Sequence, residues 1–242
     1  TDEPFVPVDA APLPVRSEPF LDVSASHPAA AAIEQLRQRN IVQGDAAGRF
    51  LPDTLLTRAE FTRLALATAE CRECRLDEET DAGGFGRFTD VPASAWYRFC
   101  LELGNDLGYI TGYGDGTFRP DDPITRAEAV AVLLRAAEAP LLSGTLQLIR
   151  DVPLQAWYAP AMFTAIERGL VAVHFGFAYP EEPITRGEFA QLAVQLFAGQ
   201  SCPAPGPPDV GIVEDRCPQV PEDLDGTDDD DGCPEYDFAS FY

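Results

Sequence analysis

The sequence predicts an all-α protein built from three tandem helix-loop-helix repeats that share one core. A Phe/Ile-x-Asp-Val segment recurs at Phe20-Leu21-Asp22-Val23, Phe88-Thr89-Asp90-Val91 and Ile149-Arg150-Asp151-Val152, and a Leu/Ile-Thr-Arg-x-Glu segment recurs at residues 56–60, 124–128 and 184–188. The three Asp lie 68 and 61 residues apart, and Arg58, Arg126 and Arg186 lie 68 and 60 apart, so two independent landmarks agree to within one residue. Between them run apolar residues at helical spacing. One two-helix unit cannot cover its own apolar faces, whereas three packed together can. With 45% apolar residues in 242, the chain holds enough material for that core.

Residues 1–19 carry five Pro and little periodicity, which predicts an extended arm. Repeat 1 spans residues 20–70, with helices expected over 27–40 and 57–70. Ile33, Leu36 and Ile41 share a face in the first, and Phe61, Leu64, Ala65 and Thr68 follow i, i+3, i+4, i+7 in the second. Residues 71–87 form a polar insert that accounts for the longer first spacing. Repeat 2 spans 88–138, with helices over 93–108 and 125–138, the latter carrying Val130, Leu133 and Leu134. Repeat 3 spans 149–198, with helices over 155–169 and 185–198, the latter carrying Phe189, Leu192, Ala193 and Leu196. In repeat 2 the helices are joined by Gly112-Tyr113-Gly114-Asp115-Gly116-Thr117-Phe118, whose glycines permit positive φ and a tight turn. Residues 201–242 read as an irregular acidic tail, in which 12 acids from Asp209 onward face one Arg.

Thr57-x-x-Glu60, Thr125-x-x-Glu128 and Thr185-x-x-Glu188 each match a capping box, which explains the Thr and the Glu but not the Arg between them. A cation at the first position of a helix is slightly unfavourable against the dipole, so Arg58, Arg126 and Arg186 at equivalent positions call for a shared use. Two uses stand: a guanidinium and free helix N–H groups forming an anion site, or an ion pair with a carboxylate of the neighbouring repeat. Trp96-Tyr97 and Trp157-Tyr158 open the first helices of repeats 2 and 3, either as core aromatics or as platforms for the apolar face of a sugar ring.

Charge and composition exclude several function classes. The formal charge is −23, from 40 acids against 17 bases, all of them Arg, a balance that repels phosphate backbones and disfavours a nucleic-acid partner. No run of 18 apolar residues exists to span a bilayer. The start at Thr1 reads as a processed or trimmed product. Two His leave little material for a His-based catalytic site, and His174 has no second ligand nearby in sequence. Six Cys in an acidic, Pro-rich chain lean toward an oxidising compartment. Cys71-x-x-Cys74 reads as a redox pair, half a zinc site or a local bridge, and the lack of a βαβ pattern disfavours the first. Cys100 and Cys202 are left as a further candidate pair.

Phe88-Thr-Asp-Val-Pro, Ala95-Trp96-Tyr97, the loop from Gly112 to Asp121 and Ile124-Thr-Arg-Ala-Glu128 together resemble S-layer homology repeats over about residues 20–198. The resemblance implies a pseudo-threefold α-helical bundle at the cell surface, anchored to an anionic, often pyruvylated, cell-wall polysaccharide or to peptidoglycan through grooves between repeats. It implies ligand-binding roles for Arg58, Arg126 and Arg186, with Trp96 and Trp157 as groove aromatics. Repeat 1 departs from the pattern, with Pro28 opposite Trp96, and repeat 3 has Gly187 where the motif has Ala, so repeat 2 is the most intact.

Residues 217–235 resemble a thrombospondin type 3 calcium repeat. That implies a Ca²⁺ site with Asp223, Asp225, Asp229 and Asp231 as ligands, in keeping with the preference of this hard cation for six to eight oxygens, and a disulfide between Cys217 and Cys233 around the loop. The expected function is a non-enzymatic, extracellular envelope anchor. The rival is a subunit of an extracellular filament or surface layer, in which the grooves and the arm contact copies of the chain or other envelope proteins.

Overall fold

The computed structural model describes residues 19–70, 87–142 and 149–198. The arm, most of the insert with Cys71 and Cys74, and the tail with Cys202, Cys217, Cys233 and the four Asp expected to hold calcium lie outside the described residues. Six helices form among the described residues, with isolated bridges in place of strands, as the all-α expectation requires: α1 (Ala30–Gln38), α2 (Arg58–Glu70), α3 (Arg98–Asp106), α4 (Arg126–Ala136), α5 (Ala159–Glu167) and α6 (Arg186–Leu196). None is long and apolar enough to cross a membrane.

The second helix of each repeat starts where its Thr places it. In α4 and α6 the Thr125 and Thr185 hydroxyls accept from the Glu128 and Glu188 N–H, and each Glu carboxylate accepts from the backbone N–H of its Thr. Thr57 and Glu60 exchange the same two bonds at α2, at 3.0 and 3.2 Å. The first helices are shorter than the sequence predicts. Their expected first turn is spent in two successive tight turns, Ala95 N–H to Pro92 C=O and then Arg98 N–H to Ala95 C=O in repeat 2, with matching pairs in repeats 1 and 3. Trp96 and Trp157 therefore precede α3 and α5 rather than opening them.

Helices do not pair within a repeat. α3 packs on α2, α5 on α4, and α1 on α6, so each first helix joins the second helix of the preceding repeat and the chain's first helix closes the circle onto its last. Arg39, capping α1, reinforces the closure by donating to the Phe197 carbonyl at the end of α6. At the centre α2, α4 and α6 meet, and Phe61 and Phe189 pack edge to face at 5.8 Å, an arrangement that adds about 1 kcal/mol to the burial of their area.

On the axis of this arrangement Leu56 donates to Ile184, Ile184 to Ile124, and Ile124 to Leu56, at 3.1, 3.1 and 3.0 Å. The three equivalent residues thus close a backbone ring among buried aliphatic side chains. This gives the bundle its pseudo-threefold order.

Candidate functional site: composite grooves between repeats

The Arg at the start of each second helix reaches into the following repeat. Arg58 is 6% exposed; its Nε donates to the Phe118 carbonyl at 2.8 Å and its Nη1 to Glu128 Oε1 at 2.9 Å. Arg126 donates to the Ala178 and Tyr179 carbonyls and to Glu188 at 2.8 Å. Arg186 completes the cycle by donating to Phe50 O at 2.9 Å, with its guanidinium over the Phe50 ring at 4.6 Å. Burial pushes the Arg186 pKa down, while the charge of Glu60 opposes that shift.

The inter-repeat ion pair weighed from the sequence is thus present at Arg58 and Arg126. The helix N–H groups invoked for an anion are already taken. Arg58 N–H donates to Asp122 C=O and Ala59 N–H to Pro120 C=O, and the same pair of bonds recurs at Arg126 and at Arg186. Any anion at these helix starts would meet side chains and not backbone donors.

The Asp used above only as a landmark fixes the loop that these Arg grip. Asp90 accepts from Phe118 N–H at 2.8 Å and Arg119 N–H at 2.7 Å; Asp22 does so for Phe50 and Leu51, and Asp151 for Ala178 and Tyr179. The second residue of each pair, Leu51, Arg119 and Tyr179, has φ of 62°, 57° and 54°, a left-handed conformation costly for an L-residue and held here by the bidentate carboxylate.

The loop glycines answer to space as much as to dihedral freedom. Of the three in the repeat 2 loop only Gly116 has positive φ. A Cβ on Gly112 would fall 2.2 Å from the Phe88 ring, and one on Gly44 would fall 2.9 Å from Phe20. At the matching positions repeat 3 has Ala172 and the smaller Ile149. Gly187 replaces the Ala of the other repeats where a Cβ would sit 3.1 Å from the Pro52 carbonyl and 3.4 Å from Ala29.

Two grooves of about 320 Å³ follow from this geometry. The first combines Arg58 of repeat 1, the Tyr113 loop, Glu128 and Arg135 of repeat 2, and Trp157 of repeat 3. Tyr113 lies between two guanidinium groups, with Arg119 at 4.0 Å and Arg58 at 4.8 Å from its ring centroid. Its hydroxyl donates to Glu128 at 3.0 Å, and burial raises its pKa, so it stays a donor at neutral pH. Trp157 keeps 63% of its surface exposed while its neighbour Tyr158 is buried. Of the two uses weighed for these aromatic pairs, the Tyr takes the core position and the indole stands outside it. Trp96 and Tyr97 divide in the same way.

The second groove joins Arg126 of repeat 2 to His174, Tyr179, Glu188, Gln191 and Gln195 of repeat 3. Trp96 lines neither of these two grooves. Repeat 2, the most intact repeat in sequence, contributes its loop to the first groove. Its intact loop serves the Arg of repeat 1 and the Trp of repeat 3, because each first helix lies on the preceding repeat. Arg135, Tyr113 and Glu128 were not singled out from the sequence as site residues; only the tertiary pairing brings them together.

Fold and groove define a helical module of two-helix units closed into one bundle. The S-layer homology domain family matches residues 19–62 and 87–130, which fall within repeats 1 and 2. A cellulosome-anchoring protein of Acetivibrio thermocellus is 36% identical over 138 residues, 57% of this chain and 30% of that protein. An amylopullulanase of Thermoanaerobacterium thermosulfurigenes is 37% identical over 172 residues, 68% of this chain and 9% of that enzyme. The surface-layer 125 kDa protein of Lysinibacillus sphaericus is 29% identical over 163 residues, 66% of this chain and 13% of that protein. The chain thus spans less than a third of these relatives' own length. The matches indicate a protein of the cell-envelope surface.

Proposed function

We propose that this chain is a non-enzymatic anchor that holds cell-wall polysaccharide or peptidoglycan in the grooves between its repeats, repeat 3 acting as a third S-layer homology repeat. The observation that carries the reading is the first groove, which an exposed indole shares with the buried Arg58 and the half-buried Tyr113 and Glu128. Trp157 offers an apolar plane to a sugar face, and Arg58 and Arg135 offer donors to its hydroxyl and acidic oxygens. The cellulosome-anchoring relative supports the anchoring role, and the amylopullulanase is an enzyme with a similar segment in a much longer chain. Co-sedimentation with purified wall sacculi is the test. Trp157→Ala should weaken binding about tenfold, the size of one lost aromatic contact, and retention of full binding by that variant would reject the groove as the site.

The filament or surface-layer reading draws on a separate observation. Phe175 is 93% exposed at φ 53°, at the tip of a turn closed by paired His174–Phe177 backbone bonds. A bulky aromatic held in this conformation and in water suits a contact with another subunit. Sedimentation velocity of the purified chain and of Phe175→Ser separates the readings, since only a subunit would show assemblies that the substitution dissolves. Calcium binding at Asp223, Asp225, Asp229 and Asp231 is proposed from sequence chemistry and tested by titration calorimetry of the oxidised protein; no heat at millimolar calcium would leave only an acidic tail.

A further inference from the structure

The two grooves share a plan but differ at one position that decides their charge. In the first, the positive charge of Arg58 is met by Glu128 at 2.9 Å. Arg135 adds a second guanidinium on the next turns of α4. It is exposed, donates one bond, from Nη1 to the Tyr109 carbonyl at 2.8 Å, and pairs with no carboxylate among the described residues. The charged side chains lining this groove therefore sum to one net positive charge. In the second, Arg126 is met by Glu188 at 2.8 Å. The repeat offsets place Gln195 where the first groove has Arg135, and Gln191 adds a second amide, leaving no net charge from Arg and Glu side chains. The corresponding residue on α2 is Ala67, which is buried.

The whole chain carries −23, so an anion approaches this protein only where a local cation outweighs the surrounding field within a Debye length of about 8 Å. A paired Arg does little for that balance, because its carboxylate repels the ligand as the guanidinium attracts it. An unpaired, exposed Arg beside an indole supplies the missing charge.

We propose that Arg135 is the specificity-determining residue of the first groove, making it selective for an acidic saccharide, and that Gln195 makes the second groove a site for neutral saccharide. This rests on the reading of the grooves as carbohydrate sites. Arg135 acts by aiming its free guanidinium edge at a sugar carboxylate while Trp157 holds the ring. The amides of Gln191 and Gln195 address hydroxyl groups, to which they both donate and accept.

The test uses the full chain and one probe in two forms: a hyaluronan oligosaccharide, which carries glucuronate carboxylates, and the same oligosaccharide with those carboxyls reduced to alcohols. Binding is followed by indole fluorescence and calorimetry, with stability checked by denaturant melts. The wild type should prefer the acidic form by about five- to tenfold, the size of one solvent-exposed charge-assisted contact, and the preference should shrink with added salt. Arg135→Gln should bring the ratio of the two affinities to about one with an unchanged melt, and Gln195→Arg should add a second acid-preferring binding event. A ratio left intact in Arg135→Gln, while Trp157→Ala weakens binding about tenfold, overturns the role of Arg135 and leaves the groove standing. A wild type that binds neither form, nor wall sacculi, overturns the carbohydrate reading and this inference together.

Discussion

At Arg58 the balance of forces is set by burial. The guanidinium and the Glu128 carboxylate are both largely out of water, and Glu128 also accepts from Tyr113 and from Thr125. Removing one partner leaves the other charge uncompensated, so Arg58→Ala is expected to lower stability by about 3–5 kcal/mol, read from urea unfolding; a loss under 1 kcal/mol would mean the pair is solvated. Asp115 illustrates the opposite, exposed case. Thr117 and Arg119 hold its carboxylate at a pKa of about 2 through hydrogen bonds. A depressed folded pKa stabilises the folded state above the unfolded value near 3.8 and is lost as pH falls through about 2. The repeat 2 loop should therefore keep its turn down to about that pH, and an NMR titration placing Asp115 near 4 would contradict the hydrogen bonds seen here.

At the scale of elements, the loops and the helix starts are fastened by different means. Asp90 satisfies two backbone N–H groups and pins a left-handed Arg119, so Asp90→Ala should cost about 2–3 kcal/mol and loosen the loop that lines the first groove. Hydrogen exchange at Phe118 and Arg119 measures this, and unchanged protection there would refute the carboxylate's role. Thr125→Ala removes only a cap. The expected loss is about 1 kcal/mol, seen as a lower denaturant midpoint with an unchanged slope, because the neighbouring carbonyls of Glu182 and Pro180 still receive the Arg126 and Ala127 N–H groups.

For the whole molecule, the cyclic pairing makes stability indivisible. α1 has no partner in its own repeat and packs on α6, so opening any prong breaks a contact between distant parts of the chain. The amides of Leu56, Ile124 and Ile184, linked in one ring, should exchange with a single free energy equal to that of global unfolding. Ile184→Ala, a buried truncation costing about 2–4 kcal/mol, should lower all three protections by the same amount. Unequal losses would indicate that the repeats unfold separately.

Much of the architecture was legible in the sequence because it rests on interactions within one helical turn. The capping boxes at Thr57, Thr125 and Thr185 lie within three residues, and the apolar spacing of Phe61, Leu64 and Ala65 or of Val130, Leu133 and Leu134 follows the helical period; these determine where the second helices begin and which faces are buried. The short first helices were less legible, since their entry turns compete locally with helix and win through tertiary docking. The pairing of each first helix with the preceding repeat was not legible at all. It depends on which of several similar apolar faces closes the circle, a choice made by contacts between residues more than a hundred positions apart, such as Arg39 and Phe197. From that choice follow the composite grooves, the union of Arg58 with Trp157, and the exposure of Arg135. Local hydrogen bonds and periodicity write the elements into the sequence, whereas burial and charge pairing across the closed bundle decide which side chains share a site.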